Sequence, residues 1–442
     1  MNRRTLLSAG VSLALGALAL PAFALPALAG DIPAKVEAPV TISYYNYNLA
    51  TAGIGGEATK KLIAEFEAAN PNIKVNGVGV TSAEISTRVQ ADVAAGRSPD
   101  VAQMVFSDFD FMVHNLGAVA LEDIIPAAEL KAHFEGISPK GLALGVYEGK
   151  TYGLAYTFST PVLFYNADLF RKAGLDPENP PKTWAEVKVA AKAIVDKAGA
   201  EGIATGIFGP SAGDWLFQGV IRSNGASVMS KDRKTLTFAS AEGIEAVSML
   251  QDLYKSGVYS NLDISAAMDA MAAGTVGMYL QTSAVQGYLV KGAKGNFELR
   301  ASTMPRFGDK PVRPNNSGSA LVIMSHDPIK QRAAWELMKF MTSKHAYTVI
   351  TSQIGYLPLR TDIVNDPQYL GEWVKDHPLI QPNLQQLAVL EPWESFPGAN
   401  YRQIVKTMMD GAEQAVFGGG DPAKAMKDAE ANAQKLMPAA MN

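Results

Sequence analysis

The segment GPSAG (Gly209–Gly213) carries the G-x-S-x-G spacing of a nucleophile elbow, a sharp strand-to-helix turn that exposes a serine hydroxyl. Ser211 would be the nucleophile, with His326, His345 and His377 downstream as candidate bases. The preceding EGIATGIF reads as a strand, but Pro210 and Gly213 make the segment an ordinary turn, so a hydrolase is the remote alternative. The five histidines are scattered without metal-ligand spacing, and no zinc site is expected. In SDFDF, Asp108 and Asp110 stand two apart, but the rest of a calcium loop is missing. These aspartates read as a solvated loop, or as one carboxylate binding ligand hydroxyls. Neither G-x-x-x-x-G-K-[ST] nor G-x-G-x-x-G occurs. No cofactor and no catalytic residue are expected, and the chain reads as a binder rather than an enzyme.

Bulk properties narrow the setting. The 442 residues are 48% hydrophobic and 19% charged, enough for a large core without a disorder signature. The net charge of −4 argues against a nucleic-acid partner, which would want a basic face. Arg3 and Arg4, the apolar run Leu6–Leu20 and the A-x-A at Ala27 and Ala29 read as an export signal over 1–29. NRRTLLS also resembles a twin-arginine signal. Cleavage after Ala24 is the alternative. The chain has no cysteine, so neither disulfides nor a lipid anchor on cysteine are expected. The sequence predicts a soluble periplasmic monomer.

Elements that could position chemistry follow from periodicity. PVTISYYNYN, IKVNGVGV and SPDVAQMVF read as strands. Between them lie helices with Leu62, Ile63 and Phe66 on one face and SAEISTRVQADVAAG as the second, giving βαβαβ. PVLFYN is a strand and ADLFRKAGL a short helix stopped by Gly174. After the rigid DPENPPK turn, Thr183 and Glu186 form a capping box for a helix to about Lys197. AGTVGMYLQTSAVQGYL gives strand, polar loop and helix, and NNSGSALVIMS is a later strand. Helices are expected over 400–417 and from Pro422 to about Leu436.

The exported N-terminus, EFEAANPNIKV, SPDVAQM, YEGKTYGLAYTFSTPVLFYNADLFRKAGLDPENPPKTWAEV, AAGTVGMYLQTSA and IGYLPLRTDI together resemble the extracellular solute-binding proteins of carbohydrate-importing ABC transporters. That group includes maltose and glycerol-3-phosphate binders. The resemblance implies an α/β, two-lobed type II periplasmic binding protein, each lobe a mixed or parallel sheet flanked by helices. Residues 30–157 and 318–365 would form one lobe, and 158–317 and 366–442 the other. A hinge would close the lobes on the ligand, for transient delivery to membrane permease subunits. The implied function is capture of a carbohydrate, an oligosaccharide or sugar-related solute. The alternative is glycerol 3-phosphate or another anionic ester.

The same resemblance implies cleft positions at Tyr45, Asn46, Asp108 or its neighbour Ser107, Ser159, Thr282 or Ser283, Gly318, Tyr356 and Tyr401. Ala83 and Phe106 depart from the glycerol-3-phosphate pattern. Its phosphate-holding base falls near Val405–Lys406, where Arg402 is the nearest arginine. A sugar offers an apolar face and a ring of hydroxyls. Tyr45, Trp215, Trp393 and Tyr401 could stack on the face. Asp108, Asn46, Gln103, Gln281 and Ser159 could pair with hydroxyls.

Overall fold

The computed structural model describes residues 32–50, 54–209 and 213–438. The expected export signal and Ser211 lie outside the described residues.

Apolar and β-branched residues build β1 (Val40–Asn46), β2 (Ile73–Gly79) and the largely buried β3 (Val101–Val105). β1 pairs in parallel with both of the others. Helices Ile54–Ala69 and Ile85–Ala94 connect them and bury Leu62, Phe66, Ile85 and Val89. This is the βαβαβ unit that periodicity predicts. A short hairpin, β4 (Val146–Tyr147) with β5 (Lys150–Thr151), leads into β6 (Gly153–Ser159).

β6 stays in the first sheet, while β7 (Pro161–Asn166) begins the second. The second sheet adds β8 (Glu201–Thr205), β9 (Val276–Thr282) and β10 (Leu299–Thr303). β11 (Ser317–Ile323) then returns to the first sheet and inserts antiparallel between β3 and β6. The orders are β2-β1-β3-β11-β6 and β10-β7-β9-β8, both mixed, one per lobe. Every residue of β6 and β7 is buried, as expected of strands covered on both faces.

The first crossing takes one residue, Thr160. Its hydroxyl donates to Asn383 Oδ1 at 2.7 Å and accepts from Gln386 Nε2 at 3.0 Å. Gln386 also donates to the Pro161 carbonyl at 2.7 Å. At the return crossing Gly318 holds φ of +112°, and a Cβ there would lie 2.0 Å from the Thr157 carbonyl oxygen. Only glycine fits both the conformation and the space.

The Pro-rich turn after β7 sets the next helix. Thr183 and Glu186 form the capping box for Trp184–Ala193, and Trp184 is buried. The C-terminal helices Tyr401–Phe417 and Pro422–Gln434 pack on each other and on Ala241–Lys255. Among the described residues, no helix is long and apolar enough to cross a membrane.

Candidate functional site

A cavity of about 510 Å³ opens where the strands of the first sheet end. Tyr47 follows β1, Ser82 and Ala83 follow β2, Val105 ends β3, and Ser107 and Asp108 lie in the helical turn after it. Ser317 and Gly318 start β11, and Tyr356 comes from the loop after Gly355. The facing wall comes from elements later in the chain. Asp214 and Trp215 open helix Asp214–Ser223, Trp393 sits in a loop, and Tyr401, Arg402 and Val405 occupy the first turns of Tyr401–Phe417. A crevice beyond the carboxyl ends of strands is where open α/β sheets hold ligands.

The wall is aromatic and acidic. Trp215, Trp393 and Tyr401 are buried against the protein yet line the cavity. Asp108 Oδ1 accepts a hydrogen bond from the Tyr401 hydroxyl, and the Arg402 guanidinium stands 3.8 Å away. Arg402 Nε also donates to the Tyr401 oxygen at 2.9 Å and Nη1 to Thr87 Oγ1 at 3.1 Å. Burial raises the Asp108 carboxyl, and Tyr401 and Arg402 work against that rise. Burial, then the Asp108 charge, pushes the Tyr401 phenol up to about 12.

Asp214 is held differently. Its Oδ2 accepts from Trp393 Nε1 at 2.7 Å and from Gln218 Nε2 at 3.4 Å, both neutral donors. Its Oδ1 accepts no hydrogen bond among the described residues. Burial pushes this carboxyl up to about 6, against the pull of the indole and of the helix-start amides.

Eight of the residues singled out in the sequence meet in this cavity: Ser107, Asp108, Trp215, Gly318, Tyr356, Trp393, Tyr401 and Arg402. The other seven lie beside or beneath it, with their polar atoms bonded internally or buried. The Tyr45 hydroxyl donates to Asp92 at 2.8 Å, and Arg88 lies over its ring. Asn46 Nδ2 donates to the Tyr44 hydroxyl at 2.5 Å, and its Oδ1 accepts from the Leu49 amide. Gln103 donates to Thr157 and Ser319 at 2.9 Å each and accepts from the Tyr47 amide at 3.1 Å. It therefore fixes a cavity residue from below. Ser159 and Thr282 bond each other, Gln281 Nε2 donates to the Tyr279 hydroxyl, and Ser283 is buried.

Sequence reasoning passed over Tyr47, Ser82, Asp214 and Ser317 as cavity residues. β1 ends at Asn46, so strand alternation does not extend to Tyr47. Asp214 did leave a signal: an acid beside Trp215 at the first turn of a helix.

Two mixed sheets joined by crossings, with a cleft at the strand ends between them, define a type II periplasmic binding protein. The chain belongs to the bacterial extracellular solute-binding protein family, whose model matches residues 50–347. It is 25% identical over 410 residues to a putative binding protein of Brucella abortus, covering 91% of this chain and 93% of that one. It is also 25% identical over 343 residues to the sn-glycerol-3-phosphate-binding periplasmic protein of Escherichia coli, covering 74% and 76%. In fold it is similar to the cyclic alpha-maltosyl-1,6-maltose binding protein of Arthrobacter globiformis, with a TM-score of 0.78 and 22% identity over 90% of this chain and 99% of that one. It is equally similar to a Mycobacterium tuberculosis protein solved with glycerophosphocholine, with a TM-score of 0.78 and 20% identity over 90% and 98%. Its function is that of the family: it is an extracellular or periplasmic solute receptor of an ABC importer, and the family's members are binding proteins.

Proposed function

We propose that the 510 Å³ cavity binds a carbohydrate, an oligosaccharide or sugar-related solute, and passes it to the permease subunits of the importer. One observation carries this reading. Trp215, Trp393, Tyr356 and Tyr401 supply flat apolar surface around two buried carboxylates, Asp108 and Asp214. That pairing matches a ring with an apolar face and a hydroxyl rim.

The ligand-binding set on this reading is Asp108, Trp215, Gly318, Tyr356, Trp393, Tyr401 and Arg402, joined by Tyr47, Ser82 and Asp214. Lobe one comprises 30–157 and 318–365, and lobe two 158–317 and 366–442. The crossings at Thr160 and Gly318 support this division. Export on the 1–29 signal, with the twin-arginine route as an option, and a monomeric working form complete the reading.

Glycerol 3-phosphate is the second reading, favoured by the Escherichia coli relative. It must place an anion beside Arg402, whose guanidinium already serves Asp108, Tyr401 and Thr87. A thermal-shift screen of the mature protein against neutral mono- and disaccharides, polyols, glycerol 3-phosphate and its diesters separates the two. Ligand at 100 times its Kd stabilises by about 2.7 kcal/mol. Stabilisation by sugars that is lost in Trp215→Ala supports the carbohydrate reading. Stabilisation by the anionic esters alone overturns it.

A further inference from the structure

The buried aspartates among the described residues follow a pattern with a single exception. Asp92 is paired with Arg88 and Arg97, and Asp100 with Lys330. Asp110 is paired with Arg233, and Asp108 has Arg402 at 3.8 Å. Asp214, 1% exposed, has only the neutral Trp393 and Gln218 as side-chain donors among the described residues and forms no ion pair there. The charged group that acts on it most is another acid, Asp108. Taking a carboxylate out of water without a counter-charge is costly, and proteins ordinarily pair such groups.

The exception faces the cavity. Asp108, Asp214 and Arg402 are the charged side chains lining it, and Arg402 is matched to Asp108. The cleft therefore holds one unmatched negative charge. Asp214 Oδ1 accepts no hydrogen bond among the described residues, Oδ2 accepts from the Trp393 indole, and the Trp215 side chain lines the same cavity. A ligand hydroxyl would give Oδ1 a hydrogen bond but leave the charge unmatched. An ammonium group would supply both, and aromatic faces attract cations as well.

Resting on the carbohydrate reading, we propose that the cleft selects a sugar bearing a protonated amine, with the ammonium held by Asp214 beside Trp215 and Trp393.

Matched ligands test this on the mature protein by isothermal titration calorimetry. The pairs are glucosamine and glucose, galactosamine and galactose, and the β-1,4 glucosamine disaccharide and cellobiose. In at least one pair the amine should bind about tenfold tighter or more, the scale of a desolvated charge contact. In Asp214→Asn, which keeps the side-chain shape, that preference should collapse, the amine losing far more affinity than its hydroxyl partner. The variant should also keep or raise the wild-type Tm, which a carboxylate needed for folding would not allow. Hydroxyl members binding as tightly as their amines overturn the charge inference and leave the carbohydrate reading standing. An amine preference that survives in Asp214→Asn overturns the assignment to Asp214. No binding by any pair, while the thermal-shift screen finds another neutral sugar, overturns the amine inference alone.

Discussion

Asp214 illustrates how one side chain ties stability to the site. Its carboxyl is pushed up to about 6 from an ordinary 3.8 by burial. A carboxyl with a raised folded-state pKa binds its proton more tightly folded than unfolded. Stability is then greatest below the unfolded value and falls as pH rises from about 4 through about 6. At pH 8 the buried charge costs on the order of 1–3 kcal/mol. Asp214→Asn should recover most of that at pH 8, and the gain should vanish below about pH 4. Denaturant melts of both proteins across that range check this, and equal stability at pH 8 refutes it. The same residue marks the limit of sequence reading. Aromatic and acidic residue types pointed to Trp215, Trp393, Tyr401 and Asp108. Aromatic and amide types pointed as well to Tyr45, Asn46 and Gln103, whose polar atoms are bonded to Asp92, Tyr44 and Thr157 instead. Residue type reveals what a group can bind, not whether a neighbour has already taken it.

Elements were far more legible than side-chain partners, because periodicity and caps are local. The βαβαβ start, the Thr183–Glu186 capping box and the helices Tyr401–Phe417 and Pro422–Gln434 all follow from short-range pattern. Thr183→Ala removes the hydroxyl that accepts from the Glu186 amide at 3.2 Å. Loss of such a cap costs about 1 kcal/mol, measurable as a lower denaturation midpoint with ligand affinity unchanged. The place of β11 between β3 and β6 was not legible, because its partners lie far away in sequence and no local pattern names them. Gly318 is where that placement becomes a steric demand. Gly318→Ala must move a Cβ away from the Thr157 carbonyl, 2.0 Å off, and also strain a backbone at φ +112°. A loss of roughly 2–4 kcal/mol is expected from the combined strain and clash. A variant as stable as wild type would show that the crossing tolerates a side chain.

At the scale of the whole molecule, function depends on how the lobes close, and one ion pair between them is placed to act as a latch. Arg233, in a tight turn of the second lobe, reaches Asp110 of the first at 3.0 Å, and also Glu394 at 2.8 Å and the Ser395 carbonyl at 2.7 Å. Its guanidinium lies over the Tyr147 ring, and Tyr147 and the Gly398 amide both donate to Asp110. Arg233 holds a left-handed backbone, φ +59°, that glycine would adopt more readily. Strain of this kind persists where surrounding contacts fix it. Arg233→Gly therefore removes the latch at a position whose backbone suits the replacement, which separates closure from folding. Without it Asp110 loses its cation, and the lobes lose a contact that exists only when they meet. A shift of about 1–3 kcal/mol toward the open form lowers apparent affinity roughly fivefold or more, since only the closed fraction holds ligand tightly. Arg233 is 28% exposed at its side chain, so high salt should weaken wild-type closure part of the way toward the variant. Small-angle scattering should give the unliganded variant a larger radius of gyration than wild type, with the two converging at saturating ligand. Identical radii and affinities would reduce the Arg233–Asp110 contact to surface decoration and leave closure to the ligand alone.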